Sequence, residues 1–340
     1  DVPAATRMIT TRHSIPSGNT FLHALKGFST GMLTADQCNA ICTAHADCVD
    51  CILEDYEVKG SVQVLPWNIR RIGTISENCS AHIGAREDKN VDVFVLDTGV
   101  TSNDLRIVES RSFVVRERDV RDLNGHGTAV AGVIAARDNT TSVVGVAPGA
   151  RIHSYKVLDR SGSGTMSGVI AGIDAVAQWK RANPAVQNAA VINLSLGAFV
   201  GGAVSALDTA CANTITNENI TIVAAAGNDG NEASMYTPAR VPQVITVGAY
   251  DNMNRMPTWS NYGAGVDTLA PGVNVVSLKR GTGLVSVSGT SFSAPHASGA
   301  AALYLARNPT ATPANVIQHI RDTQWQDYDE HNPIIANVPG

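Results

Sequence analysis

Long apolar runs are missing from this 340-residue chain. No stretch reaches the roughly 20 residues that a helix needs to cross a bilayer, which excludes a helical membrane span. Positive charge is scarce as well: 25 Lys and Arg stand against 30 Asp and Glu, a net charge of −5. No basic surface for a phosphate backbone follows from that balance, so nucleic acid is excluded as a partner. Charged residues are only 16% of the chain and hydrophobic residues 44%, which excludes a disordered, solvated chain. The length leaves room for one large domain, or a large and a small one. Cysteines number six. Cys38, Cys42, Cys48 and Cys51 crowd together, while Cys79 and Cys211 stand far apart. An even count favours disulfides formed in an oxidising compartment, with zinc held by the four crowded residues as the alternative. Their pairing is not deducible from spacing.

Helix-like and strand-like segments alternate from Val91 to Val276, which predicts an α/β domain with a mainly parallel sheet. Three stretches within and beyond it carry chemistry. Val91 to Leu96 is apolar throughout, as in a strand buried on both faces, and it ends in Asp97-Thr98-Gly99. An acid at that point sits at the carboxyl edge of the sheet, where α/β proteins build their sites. A turn-forming aspartate is the plainer reading. His126 lies between two glycines and opens a run of small residues. The glycines allow close backbone approach, and a histidine titrates near neutrality, which suits a general base. A packed structural histidine is the plainer reading. Ser291, in Gly289-Thr290-Ser291-Phe292-Ser293-Ala294-Pro295-His296, sits at the mouth of a small-residue helix. There a hydroxyl nucleophile and a free backbone N–H share one place. Finally, the apolar run Ile220 to Ala226 leads into Gly227-Asn228, which puts a side-chain amide at another strand end.

Asp97-Thr98-Gly99, His126-Gly127-Thr128 and the stretch around Ser291 together resemble the three active-site motifs of the subtilisin-like serine proteases, in the Asp, His, Ser order of that family. The similarity spans roughly residues 66–305. It implies a three-layer α/β fold and a serine endopeptidase. Ser291 is then the nucleophile, His126 the general base and acid, Asp97 its orienter, and Asn228 the oxyanion donor beside the Ser291 N–H. A lipase-type nucleophile elbow is excluded, because no Gly-x-Ser-x-Gly surrounds the serine. The alternative from another class is a binding protein on the same fold that keeps its N-terminal domain and docks to a partner.

The same resemblance assigns the substrate site. Ser195, Leu196 and Gly197 form one edge for an extended polypeptide, and Gly162, Ser163 and Gly164 the opposite edge, by addition of a β-strand. Leu158, Met166 and Val169 line apolar pockets for the P2 and P4 side chains. Tyr236 falls at the base of the S1 pocket and restricts it. Calcium is implied at two places. The first takes Gln63, Asp104 and Asn139 through side-chain oxygens and Arg137, Thr141 and Val143 through carbonyls. The second takes Asp267 with the carbonyls of Pro242 and Val244.

Residues 1–61 resemble a subtilisin propeptide, a small α+β domain that inhibits the enzyme, and residues 62–340 the catalytic domain. Met8-Ile9-Thr10 is expected as a strand and Thr20 to Leu25 as the start of a helix. Ala35 to His45 is expected as a helix with Cys38 and Cys42 on one face, and Ile52 to Val58 as a final strand. Val58-Lys59-Gly60-Ser61 offers an apolar P4 and a small P2, so autocleavage is expected between Ser61 and Val62, with a cut after Gln63 as the competitor. A protease of this kind is expected in a secreted or secretory-pathway setting.

Overall fold

The computed structural model describes residues 2–15, 17–21, 27–30, 33–49, 52, 63–72, 91–184 and 190–323. By internal packing the chain divides into two compact units, Asp1–Gly60 and Ser61–Gly340.

In the first unit, α1 (Val2–His13) is followed by an antiparallel pair, β1 (Ser17–Phe21) and β2 (Gly27–Thr30), and by α2 (Ala35–Ala44). Thr34 and Gln37 cap α2 reciprocally, a capping box that marks its start. Met8-Ile9-Thr10 is therefore helix, not strand. Ile9 packs with Ile15 and Ile41 in a small apolar cluster, and the Thr10 hydroxyl bonds back to the Thr6 carbonyl at 2.9 Å. Helical packing outweighs the β-branched preference of those residues. Thr20 and Phe21 are likewise strand, not helix. The final strand expected at Ile52 to Val58 lies, beyond Ile52, outside the described residues.

The second unit is built on a seven-stranded sheet. Its strands are β3 (Asp92–Asp97), β4 (Ile107–Ser112), β5 (Arg151–Lys156), β6 (Ala190–Leu194), β8 (Thr221–Ala225), β10 (Ile245–Tyr250) and β11 (Thr268–Pro271), in the order β11-β10-β8-β6-β3-β5-β4 with every pairing parallel. Two short antiparallel pairs accompany it, β7 (Ala198–Phe199) with β9 (Tyr236–Thr237), and β12 (Val275–Leu278) with β13 (Leu284–Val287). The helices are α3 (Trp67–Arg71), α4 (His126–Ala135), α5 (Met166–Ala182), α6 (Ala206–Glu218), α7 (Thr290–Arg307) and α8 (Pro313–Thr323).

Strand β3 shows why three layers form. All six of its residues are buried. Alternation sends Val93 and Val95 to one face, where they pack with Ala129, Val130 and Val133 of α4 and Ala301 of α7. Phe94 and Leu96 go to the other face, with Val169 and Ile173 of α5 and Leu207 of α6. A strand with two apolar faces needs a helical layer on each. That layering brings Asp97, the first turn of α4 and the first turn of α7 to the carboxyl edge of the sheet. No helix among the described residues is long and apolar enough to cross a membrane.

Candidate functional site

Asp97 ends β3 fully buried, and its Oδ1 accepts the Thr98 N–H at 2.7 Å. Both carboxylate oxygens face His126 Nδ1, at 2.8 and 3.0 Å. The approach depends on Gly127, because a Cβ there would lie 2.2 Å from the Gly99 carbonyl oxygen. The His126 ring rests beside Phe292, centroids 5.1 Å apart, and its side chain is 26% exposed, so Nε2 is accessible. Burial works against charging the ring. The charge and hydrogen bond of Asp97 outweigh it, with a further contribution from the charge of Asp122, and His126 titrates above its ordinary range.

Ser291 is the second residue of α7, which follows Gly289 at a positive φ of 144° that a side chain would disfavour. Its hydroxyl donates to the Ser195 carbonyl at 3.1 Å rather than to His126. Ser195 answers by donating its own hydroxyl to the Ser291 carbonyl at 2.6 Å. That carbonyl is available because the residue four positions on is Pro295, which has no N–H to offer it. Ser195 in turn accepts from Asn193 Nδ2 at 2.9 Å, and Asn193 Oδ1 accepts from the Ser298 hydroxyl at 2.8 Å. Ser291 and the strand end at Ser195 are thus tied together at the start of α7. Asn193 is fully buried in this network.

Asn228 follows β8 and is exposed. Its Oδ1 accepts from the Thr290 N–H at 2.8 Å and from the Thr290 hydroxyl at 2.9 Å. With the oxygen held there, Nδ2 is the free end of the amide, beside Gly289. The sequence pointed to Asn228 but not to Thr290, whose role depends on a contact across 62 residues.

His126, Leu158, Gly162, Ser163, Gly164, Met166, Val169, Ser195, Leu196, Gly197 and Ser291 line a single cleft of about 580 Å³. Thr98, Asn124 and Leu207 line it too and were not foreseen. Leu207 stands in the first turn of α6 behind the Ser205 cap, but only the packing of α6 on the sheet turns it towards the cleft. Tyr236 lies outside the set of residues lining this cleft. It is buried against Phe199, with ring centroids 5.4 Å apart, because β9 pairs with β7 and puts Phe199 opposite it.

The first calcium set converges. Gln63 Nε2 donates to the carbonyls of Arg137, at 2.5 Å, and Val143, at 3.1 Å. Asn139 Nδ2 donates to Asp104 Oδ1 at 2.5 Å, and Asp104 Oδ2 is buried with no hydrogen-bond partner. Thr141 closes a turn on Asn139 Oδ1 at 2.8 Å. The two carbonyls and the Asp104 oxygen, which has no hydrogen-bond partner among the described residues, are oxygens of the kind a hard cation takes, and the Gln63 amide would have to turn its oxygen inward to join them. The second set is not assembled. Asp267 Oδ2 accepts from the Thr246 N–H at 2.7 Å, and Oδ1 pairs with the Arg321 guanidinium. A guanidinium from α8 takes the place expected for calcium.

The expected disulfides do not form among the described cysteines: Cys38, Cys42, Cys48 and Cys211 are free. Cys211 is buried within α6, and burial pushes its thiol up to about 12. Cys51, Cys79, Ser61 and Val62 lie outside the described residues.

Comparison with known proteins agrees with this geometry. The sequence profile described as the Subtilase family matches residues 88–335. An alkaline protease of Alkalihalobacillus alcalophilus is 40% identical over 273 residues, 80% of this chain and 68% of that protein. Subtilisin Savinase of Lederbergia lenta is 40% identical over 262 residues, 77% of this chain and 91% of that protein. A solved structure described as a cold adapted subtilisin-like serine proteinase superposes with a TM-score of 0.65 at 37% identity, covering 76% of this chain and 91% of its own.

Proposed function

The chain belongs to the subtilase family and is a serine endopeptidase, and from that premise we propose that Asp97, His126, Ser291 and Asn228 carry its chemistry. The observation that supports this most is the pairing of a buried carboxylate with an accessible imidazole in the cleft that Ser291 lines. Ser291 Oγ turns about χ1 from the Ser195 carbonyl to His126 Nε2 and attacks the scissile carbonyl as His126 takes its proton. Asp97 stabilises the imidazolium so formed. The oxyanion is held by Asn228 Nδ2 and the Ser291 N–H. His126 then protonates the leaving amine, and a water repeats the sequence on the acyl-enzyme. A polypeptide enters extended, its backbone paired to the edges at Ser195–Gly197 and Gly162–Gly164, with apolar P2 and P4 side chains against Leu158, Met166 and Val169.

The rate should follow the neutral form of His126. The acid limb of kcat/KM is expected to rise with pH about a midpoint above the ordinary imidazole value of roughly 6.5. The sign for stability is opposite. A raised pKa contributes stability that is full below the unfolded value and lost as pH rises through the folded one. A pH–rate profile with its midpoint below 6.5 would contradict the assignment.

Gln63, Asp104, Asn139 and the carbonyls of Arg137, Thr141 and Val143 would hold calcium, which serves there as a structural tie between the segment at Gln63 and the loop after α4. A cation that binds only the native state stabilises it by about 2.7 kcal/mol at a hundredfold excess over Kd. Chelation is therefore expected to lower the melting temperature by several degrees, and Asp104→Ala should remove that response. An identical melting curve with and without chelator would refute the site.

Residues 1–61 serve as the propeptide, cut from residues 62–340 between Ser61 and Val62, after which the new carboxyl end acts as a product-like inhibitor. Retention of Gln63 by the catalytic part favours this cut over one after Gln63. A latent endopeptidase suits a secreted or secretory-pathway setting, where activity must wait for release. Intact mass and N-terminal sequencing test the cut. Two species beginning at Asp1 and Val62 are expected, and a single uncut chain with full activity would overturn latency.

A further inference from the structure

Asp122 is only 1% exposed and lies four residues before His126. No motif reading singled it out. Its Oδ1 accepts from the Thr98 hydroxyl at 2.9 Å, the Asn124 N–H at 3.0 Å and the Gly125 N–H at 2.7 Å. Its Oδ2 accepts from the Thr128 N–H at 3.0 Å and the Thr128 hydroxyl at 2.5 Å. Five donors hold one buried carboxylate, and no cationic side chain pairs with it among the described residues.

The need for it follows from α4. The residue before that helix is Gly125, left-handed at φ 110° and without a side chain, so it cannot cap the helix it begins. The three leading amides are capped from elsewhere. The His126 N–H goes to Asn124 Oδ1 at 3.1 Å, the Gly127 N–H to the Thr98 hydroxyl at 2.9 Å, and the Thr128 N–H to Asp122. Asn124 and Thr98 are themselves engaged by Asp122. Thr98 directly follows Asp97.

We propose that Asp122 is a positioning residue for the catalytic base: through Thr98, Asn124 and Thr128 it fixes the turn that carries Asp97 to the helix start that carries His126. The inference rests on the triad reading above. The charge of Asp122 also supports the protonated imidazole. The other charged groups around this assembly are Asp97, which faces the ring, and Lys156, whose Nζ donates to the Thr98 carbonyl at 2.9 Å and pairs with Glu117 at 3.3 Å. Arg121 is exposed and paired with Asp119, and the Arg280 Cβ stands 3.8 Å from a Cβ built on Gly125.

Asp122→Asn removes the charge and sets an amide N–H2 against donors. The expected result is a loss of about 10–100-fold in kcat with KM little changed, the scale of a misplaced catalytic group, and a move of the acid limb to lower pH. Thr98→Val keeps the charge but cuts the link to Gly127. It should lower kcat and leave the limb in place. Both are measured on the full chain with short peptide substrates, beside circular dichroism and fluorophosphonate labelling. A folded Asp122→Asn enzyme with wild-type kcat, or with reduced kcat and an unmoved limb, overturns the proposal. If that variant does not fold, wild-type kcat in Thr98→Val overturns it. Failure of the wild-type enzyme to label at Ser291 would instead strike the triad reading.

Discussion

With Ser291 replaced by alanine, peptide hydrolysis is expected to fall by about 10⁶-fold in kcat, the size of loss reported for the nucleophile of subtilisin itself. The substitution is close to a pure deletion of chemistry. It removes one hydroxyl, whose one hydrogen bond among the described residues is to the Ser195 carbonyl at 3.1 Å. The tie that holds Ser195 to α7 survives, because it runs from the Ser195 hydroxyl to the Ser291 backbone carbonyl. The Ser291 backbone N–H, proposed as an oxyanion donor, is also kept. KM and thermal stability should therefore stay near the wild-type values while kcat collapses, and labelling by a fluorophosphonate should disappear. Labelling that persists in Ser291→Ala would place the nucleophile on another residue.

Asn228→Ala should cost about 10²–10³ in kcat, the range known for the equivalent donor of subtilisin. The Asn228 amide is fixed before substrate arrives. Thr290 supplies two hydrogen bonds to Oδ1, and the Thr290 hydroxyl accepts the Gly227 N–H at 3.1 Å. A donor held in place costs no reorganisation when negative charge develops on the carbonyl oxygen. Because that charge exists in the transition state and hardly in the ground state, the loss should fall on kcat rather than KM. Asn228→Asp should be worse than alanine, since it sets a carboxylate against the oxyanion. A KM effect with unchanged kcat would mean that Asn228 binds ground-state substrate and not the transition state. Thr290→Val should show a smaller kcat loss of the same kind.

Much of the site was legible because its parts are local. Asp97 follows a run of residues buried on both faces, His126 stands between glycines at a helix start, and Ser291 opens a helix of small residues. Each is a short stretch whose composition states its backbone. The segments proposed as substrate edges, Gly162–Gly164 and Ser195–Gly197, came from the resemblance and do line the cleft. Where the sequence misled, a distant partner decided. Ile9 is helical because it packs with Ile41. Asp267 pairs with the Arg321 guanidinium, 54 residues on, where a calcium ion was expected.

By itself the sequence determined the parallel α/β layering, through β3 and its two apolar faces, and its motifs nominated Ser291, His126, Asp97 and Asn228 for the roles proposed above. The layering follows from periodicity and the nominated roles from the resemblance of short motifs, and neither needs knowledge of distant contacts. Tertiary structure alone decided how those groups are held. Asp122 meets Thr98 across 24 residues, Thr290 meets Asn228 across 62, and Ser195 meets Ser291 across 96. Each of these contacts satisfies a polar group that the fold has buried or drawn into the cleft. Which groups become buried together is set by the packing of helices on the sheet, and no local pattern records it.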